Sequence, residues 1–428
     1  MEGYQRDRLV RAVAVGNRIS VAAAATEASF RAGLERIVGL AAPHLAADRP
    51  NLLVLTELLG LPAALTGARG ALGRRAHTAR NALALLAAAQ MPRILRYRRR
   101  WRGISLVRAL LLASTDALYR PFHETLAQLA VRYNAHIVAT TLAPRLRRST
   151  DPREIARWGA HGADVVYLPE GPDVYNAAFV FGPDGSELGR VNKVFLTEDE
   201  RAMLDLSPGR LEDVRVIETA AGRLGVAISL DAFTPEYLRW LDERGAEIVV
   251  QPDANDQRWA ARSKTWEWQP AEWLNSVLGS IQPAYANTRY NICAMQTGNF
   301  FDLVFDGQSS ITTRADTPPD CTDRSRMFVG VDEPVDTRTG EALLGRVLAM
   351  SPWVEEDPAA SDPSLSLAER RRRLARVSAA LLPGKPRENQ YRESVIWADL
   401  PVHTAAPNSG RRVPAGEAER GPENEEMA

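Results

Sequence analysis

Three residues of the 428-residue chain have the type and setting to do chemistry. Ser229 stands in GVAISLDAF, at a corner where a strand-like apolar run gives way to a helix-like one. A hydroxyl there reads as a nucleophile, as the remnant of one, or as an ordinary strand end. Glu57 closes the apolar run NLLVLTE, which puts a carboxylate at the C-terminal end of a strand buried on both faces. Lys193 lies in RVNKVFL. It is one of only three lysines, with Lys264 and Lys385, among 53 basic residues. A lysine kept in so arginine-rich a chain points to work that a guanidinium does not do. The plain alternatives are a strand-edge lysine that discourages aggregation and a solvated carboxylate.

The elements that must position these groups follow from periodicity and turn residues. RLVRAVAV (8–15) reads as a strand, 21–47 as a helix with apolar residues three and four apart, and 51–57 as a second strand. Further on, 122–134 reads as a helix and 135–143, 163–168, 176–182 and 190–196 as strands. LEDVRVIETA and RLGVAIS read as a strand pair leading into Ser229. Thr234, Pro235 and Glu236 suit a helix start, and 246–251 is the next buried strand. A helix near 270–287 and the runs NICAMQ and FFDLVFDG follow. Strands mixed with helices, with apolar strands at the centre, predict an α/β (α+β layered) fold. Residues 58–115 contain eleven arginines and no acid. They read as an insertion of two helices, NALALLAAAQM and ISLVRALLLAS, with RILRYRRRWRG as a basic connection. Residues 316–400 read as a C-terminal extension rich in Pro, Asp and Arg. It has one helix, SLAERRRRLARVSAALL, and a final core strand, SVIWADL. Residues 401–428 have the composition of a disordered tail.

Taken in order, four segments resemble the carbon–nitrogen hydrolase (nitrilase) superfamily. VLTE is similar to the strand that carries that family's catalytic glutamate, here Glu57. YNAAFVFGPDGSELGRVNKVFL is similar to the segment that carries its catalytic lysine, here Lys193. LGVAISLDAFTPEYLRWLDERGAEIVVQPDAN is similar to its nucleophile motif, and FFDLVFDGQSSI to a later strand. The resemblance covers residues 8 to about 312 and again 394–400. It implies an αββα sandwich for residues 1–315, association as a dimer, covalent catalysis on amides or nitriles, and a small amide, nitrile or carboxylate as the bound partner. In such chemistry a glutamate is the base and a lysine steadies the oxyanion; a compact ammonium suits that task better than a guanidinium fork. It further implies a second glutamate after the lysine, with Glu198 and Glu200 as the candidates, and places Glu200, Asp231 and Asn255 as substrate-binding residues.

The family nucleophile is cysteine, and Ser229 occupies its place. A thiol has a pKa of about 8.5, whereas an alcohol is a far weaker acid, and each unit of mismatch costs about 1.36 kcal/mol. Serine nucleophiles normally use a histidine or lysine base, and no G-x-S-x-G elbow surrounds Ser229. Of the six histidines, His161 is the one conceivable near the site, and a loop histidine of no special role is its plainer reading. Cys293 reads as a packed core residue. Four readings of Ser229 stay open: a serine nucleophile, a pseudoenzyme that binds a ligand or partner, an engineered replacement, or an ordinary strand end.

Composition bounds the rest. A formal net charge of +0 argues against bulk nucleic-acid binding. Two cysteines, Cys293 and Cys321, make no disulfide framework, so a cytoplasmic protein is expected. The first residues lack the apolar run of a secretory signal. Neither G-x-G-x-x-G nor a P-loop occurs, and no cofactor or metal is expected. The basic insertion has three readings: a lid over the site, a peripheral contact with anionic membranes through Arg93–Arg102, and nucleic-acid binding.

Overall fold

The computed structural model describes residues 7–403 apart from 161, 263–266, 354–361, 363 and 381–391. His161, Lys264 and Lys385 therefore lie outside the described residues, as does the tail from 404. The expected tail start at 401 moves, because the last strand runs to His403.

The chain begins with β1 (Asp7–Gly16), α1 (Glu27–Gly39) and β2 (Asn51–Val54). The insertion supplies α2 (Gly67–Gly70), α3 (Ala79–Ala89), α4 (Met91–Arg100) and α5 (Leu106–Ala113), and leads into α6 (Thr115–Tyr133). Next come β3 (Ala135–Ala143), β4 (Leu146–Ser149), α7 (Pro152–Trp158), β5 (Val166–Pro169), β6 (Tyr175–Phe181), β7 (Glu187–Asn192) and α8 (Glu198–Ala202). β8 (Ile217–Thr219), β9 (Gly222–Val226), α9 (Pro235–Glu243), β10 (Ile248–Asp253), α10 (Gln269–Val277) and β11 (Tyr290–Met295) follow. The chain ends with β12 (Gly298–Phe300), β13 (Leu303–Phe305), β14 (Ser310–Thr313), β15 (Arg346–Met350), α11 (Leu367–Ala380) and β16 (Ser394–His403).

Two six-stranded sheets, ordered β16-β1-β2-β3-β6-β7 and β15-β14-β11-β10-β9-β8, form the frame. The period of two along each strand sorts residues into layers. Ala12, Ala14, Leu52, Val54 and Val138 face the second sheet and pack with its Leu224, Val226, Ile248, Val250 and Ile292. The alternate positions Val13, Val15, Leu53, Leu55, Ile137 and Ala139 face outward onto α1, α6 and the insertion. On the other side, Cys293 and Met295 pack against Trp273, Leu274 and Val277 of α10. This is the expected αββα sandwich. Cys293 is fully buried within it, its thiol donating to Asp253 Oδ2 at 3.1 Å.

Several elements differ from the sequence reading. The helix expected over 21–47 is interrupted: Thr26 and Ser29 form a reciprocal cap that starts α1 afresh. The basic stretch read as a connection is itself helical, α4. It buries Ile94 and Tyr97, Tyr97 stacks on Trp101, and Arg96, Arg98, Arg99 and Arg100 face solvent. FFDLVFDG is a β12–β13 hairpin turning at Phe301 and Asp302, and the sheet strand is β14. After residue 315, β15 extends the second sheet and β16 pairs antiparallel with β1 along its whole length. Among the described residues, no helix is long and apolar enough to cross a membrane.

Candidate active site

β2 ends at Val54, and its continuation passes from one sheet to the other: Leu55 N donates to Val138 O, and Glu57 N donates to Asp253 O at 3.3 Å. The backbone then turns sharply. Leu58 has φ +57°, and its N–H donates to Thr140 Oγ1 at 2.6 Å. Glu57 thus sits where the two sheets meet, 3% exposed.

Lys193 follows directly on β7, and its own N–H donates to Asn176 O at 2.8 Å. Its ammonium lies 2.8 Å from Glu57 Oε1 and 2.8 Å from Glu200 Oε2, with Lys193 1% and Glu200 6% exposed. An ammonium has three N–H donors. Among the described residues two are committed to these carboxylates, which leaves one for whatever occupies the cavity beside it. Glu200 is placed by local sequence. Thr197 caps α8, Glu200 N donates to Thr197 Oγ1, and Glu200 Oε2 accepts from Thr197 N at 2.9 Å, a T-x-x-E capping box. Of the two acids proposed after Lys193, Glu200 is therefore the one that meets the lysine. Glu198 lines the cavity but makes no such pair among the described residues.

Asn176 was not singled out from sequence, although it stands second in the segment that carries Lys193. It is fully buried on β6, and its Nδ2 donates to both Glu57 Oε1 at 2.7 Å and Glu200 Oε1 at 2.9 Å. The T-x-x-E box was legible in sequence; the Asn176 bridge required the β6–β7 pairing.

Two carboxylates sharing one buried ammonium titrate unequally. Burial pushes the Glu57 carboxyl above its ordinary value, against the pull of Lys193 and with help from the charge on Glu200. Burial also acts on Glu200, but Lys193 and the Asn176 and Thr197 hydrogen bonds outweigh it and hold that carboxyl low. For Lys193, burial opposes the charge and the two carboxylates overcome it, so the ammonium is held above its ordinary value. Of the two carboxylates, Glu57 therefore holds a proton more readily than Glu200.

Ser229 opens the 3₁₀ turn Ser229–Phe233, three residues beyond β9, at φ +49°. Among the described residues its hydroxyl has no hydrogen-bond partner. Glu57, Lys193, Glu200 and Ser229 all line one cavity of about 220 Å³. Among the described residues five non-glycine residues adopt positive φ, and three of them, Leu58, Ser229 and Phe301, line this cavity. Such backbone costs of the order of 1 kcal/mol or more and persists where surrounding structure enforces it, typically at functional sites.

Asp231 and Asn255 are not brought into the lining, so the structure does not support them as substrate contacts. Asp231 is fully buried, and its carboxylate accepts from Phe195 N (2.8 Å), Val194 N (3.1 Å) and Ile228 N (3.4 Å). It ties the Lys193 loop to the Ser229 corner. Burial lifts its carboxyl to about 7 despite these bonds. Asn255 ties its loop to neighbouring segments: Nδ2 donates to Asp306 O at 2.9 Å and Gln257 O at 3.0 Å, and Oδ1 accepts from Gln257 N at 3.2 Å and Gln269 Nε2 at 3.3 Å.

The insertion closes one side of the cavity. Ala79, Ala82, Leu83 and Leu86 of α3 and Leu110 and Leu111 of α5 form that wall, while α4 contributes nothing to it.

Residues 86–314, just over half of the chain, match the model of the carbon–nitrogen hydrolase family. Asn176, Lys193, Glu200 and Ser229 fall inside the match, and Glu57 lies before it. The chain is 28% identical over 130 residues to YhcX of Bacillus subtilis, named a probable hydrolase, a match covering 30% of this chain and 20% of that protein. It is 35% identical over 83 residues to a nitrilase of Pyrococcus abyssi, covering 19% and 30%. The chain thus spans a fifth to three tenths of the length of these curated relatives. Among solved structures it is similar to a carbon–nitrogen hydrolase of Helicobacter pylori G27 (TM-score 0.45, 16% identity, 71% of this chain and 82% of that one). It is also similar to an amidase of Nesterenkonia sp. (TM-score 0.39, 17% identity, 72% and 83%).

Proposed function

Because this chain belongs to the carbon–nitrogen hydrolase family, we propose that it acts on the carbon–nitrogen bond of a small non-peptide amide or nitrile at Glu57, Lys193 and Ser229. One observation carries the reading: a buried carboxylate with raised proton affinity, an ammonium with a donor to spare, and a hydroxyl on a left-handed turn line the same cavity. In this reaction Ser229 Oγ attacks the carbonyl carbon of an amide while Glu57 takes its proton. The oxyanion forms against the free N–H of Lys193. Glu57 returns the proton to the leaving amine, the C–N bond breaks, and water then releases the acid from the acyl-serine. Glu200 and Asn176 hold Lys193 and Glu57 in register without touching the ligand carbon. Ser229 stands where the family resemblance places cysteine, so turnover is slow.

A second reading is a ligand-binding or scaffolding protein that holds the same amide, nitrile or carboxylate without cleaving it. It is favoured by the Ser229 hydroxyl, which among the described residues is hydrogen-bonded to no base. Three variants separate the two readings. The unaltered chain, Ser229→Cys and Ser229→Ala are assayed on a panel of primary amides and nitriles. Hydrolysis by the unaltered chain that Ser229→Ala abolishes supports the enzyme. Binding without turnover, with activity gained only by Ser229→Cys, supports the binder. Neither binding nor activity in any form overturns both.

A further inference from the structure

We propose that this cavity is built for a straight apolar acyl group of medium length, so that the ligand is a medium-chain amide, nitrile or carboxylate rather than a two- or three-carbon one. The polar end of that ligand rests on the functional reading above; the apolar end rests on separate observations.

The polar lining comes from Glu57 and from short segments at 193–200, 229 and 256–257. The opposing wall, from α3, α5 and the β12–β13 hairpin, is leucine, alanine and phenylalanine. Ser114 is the hydroxyl next to that wall, and it already accepts from Gln90 Nε2 at 3.3 Å. A polar substituent reaching this wall therefore finds at most the one hydroxyl of Ser114, and elsewhere loses its water without a partner, which disfavours it. Leu58, Leu61, Leu83 and Leu303 pack against the core yet are only half-buried, and the apolar surface they leave uncovered borders the cavity. Contiguous apolar surface inside a concave site, beside a few convergent polar groups, is the signature of a ligand pocket.

Size sets the length. A cavity of 150 Å³ takes one benzene, roughly 25 Å³ per carbon, so by that scale about 220 Å³ takes about nine heavy atoms. Heptanamide has that number. The wall is also held in place. Ala79 N, at the first turn of α3, donates to Asp302 Oδ1 of the hairpin at 2.7 Å, clipping together the two elements that flank the apolar end.

The test measures calorimetric binding of straight-chain primary amides, acetamide to decanamide, to the full chain, beside the matching n-alcohols. Affinity is expected to rise roughly fourfold per methylene, the effect of burying one CH₂, and to level off near heptanamide. Leu83→Gln is expected to weaken heptanamide about tenfold and to leave acetamide unchanged. Leu83 is half-buried, so the variant should fold, as its melting temperature will show; if it does not, the slope in the unaltered chain decides. An amide series that binds without dependence on length overturns the pocket and leaves the polar site standing. Alcohols that rise in step with amides, with Lys193→Met having no effect on either, support the pocket and remove the amide-directed reading. No binding by any member overturns the pocket.

Discussion

The ammonium of Lys193 lies 2.8 Å from Glu57 Oε1, in a place where both side chains are almost wholly withdrawn from water. Removing one partner of such a pair leaves the other charge stranded. Lys193→Met leaves Glu57 and Glu200 facing each other across an apolar methyl, and its expected effect is a loss of about 3–5 kcal/mol in urea unfolding at pH 7. Lys193→Arg should not recover it, because a planar fork does not fit a site shaped for a point charge. A change under about 1 kcal/mol in Lys193→Met would show that the pair is not buried as described.

Asn176 donates to both carboxylates, and both bonds favour their ionised forms. Asn176→Ala should therefore raise the Glu57 carboxyl further and move the acidic limb of any ligand-binding or activity profile to higher pH. A ¹³C titration of Glu57 in the two proteins checks the direction; a downward move would sink the assignment.

Asp231 gives a pH-dependence with a definite sign. Its carboxyl stands at about 7 in the folded chain, against an ordinary 3.8, because burial disfavours the charge. The folded state therefore keeps this proton at pH values where the unfolded state has lost it. The contribution to stability is full below about pH 4 and is lost as pH rises through 7. Asp231→Asn cannot titrate. Unfolding measured at pH 4, 5.5 and 8 should show the unaltered protein losing stability relative to Asp231→Asn as pH rises. A difference that is flat or grows the other way contradicts the shift.

Ser229 and Leu58 hold left-handed backbone that glycine adopts freely. Ser229→Gly is expected to stabilise the chain by roughly 0.5–1 kcal/mol while eliminating any chemistry at that position. Thermal unfolding that shows Ser229→Gly less stable would mean the turn is not strained.

The layered fold was readable because its strands are apolar runs of the right length. The alternation along β1, β2 and β3 assigns residues to the two faces of the first sheet. Glu57, Lys193 and Ser229 stood out together through the order of the segments that carry them, each similar to part of one family's pattern; that they line one cavity depends on the fold. What was not readable depends on pairing and space. Asn176 looks like any strand asparagine until β6 and β7 are side by side. Asn255, in a segment similar to a known motif, bonds to Gln257 and Asp306 and does not line the cavity. β15, RVLAM, is a short edge strand whose neighbour lies more than thirty residues earlier, so no local signal announced it. The apolar wall arises from three separate segments, and no single stretch of sequence shows that they converge.

The register of β16 against β1 runs from Gly16↔Ser394 to Asp7↔His403. These partners sit near opposite ends of the chain, and loop closure over such a separation slows folding. During synthesis β1 can pair with β2 early, but its other edge stays open until β16 has left the ribosome. The newborn protein thus passes through a long interval with an unpaired apolar strand edge, which invites association with other nascent chains and gives chaperones a reason to attend it.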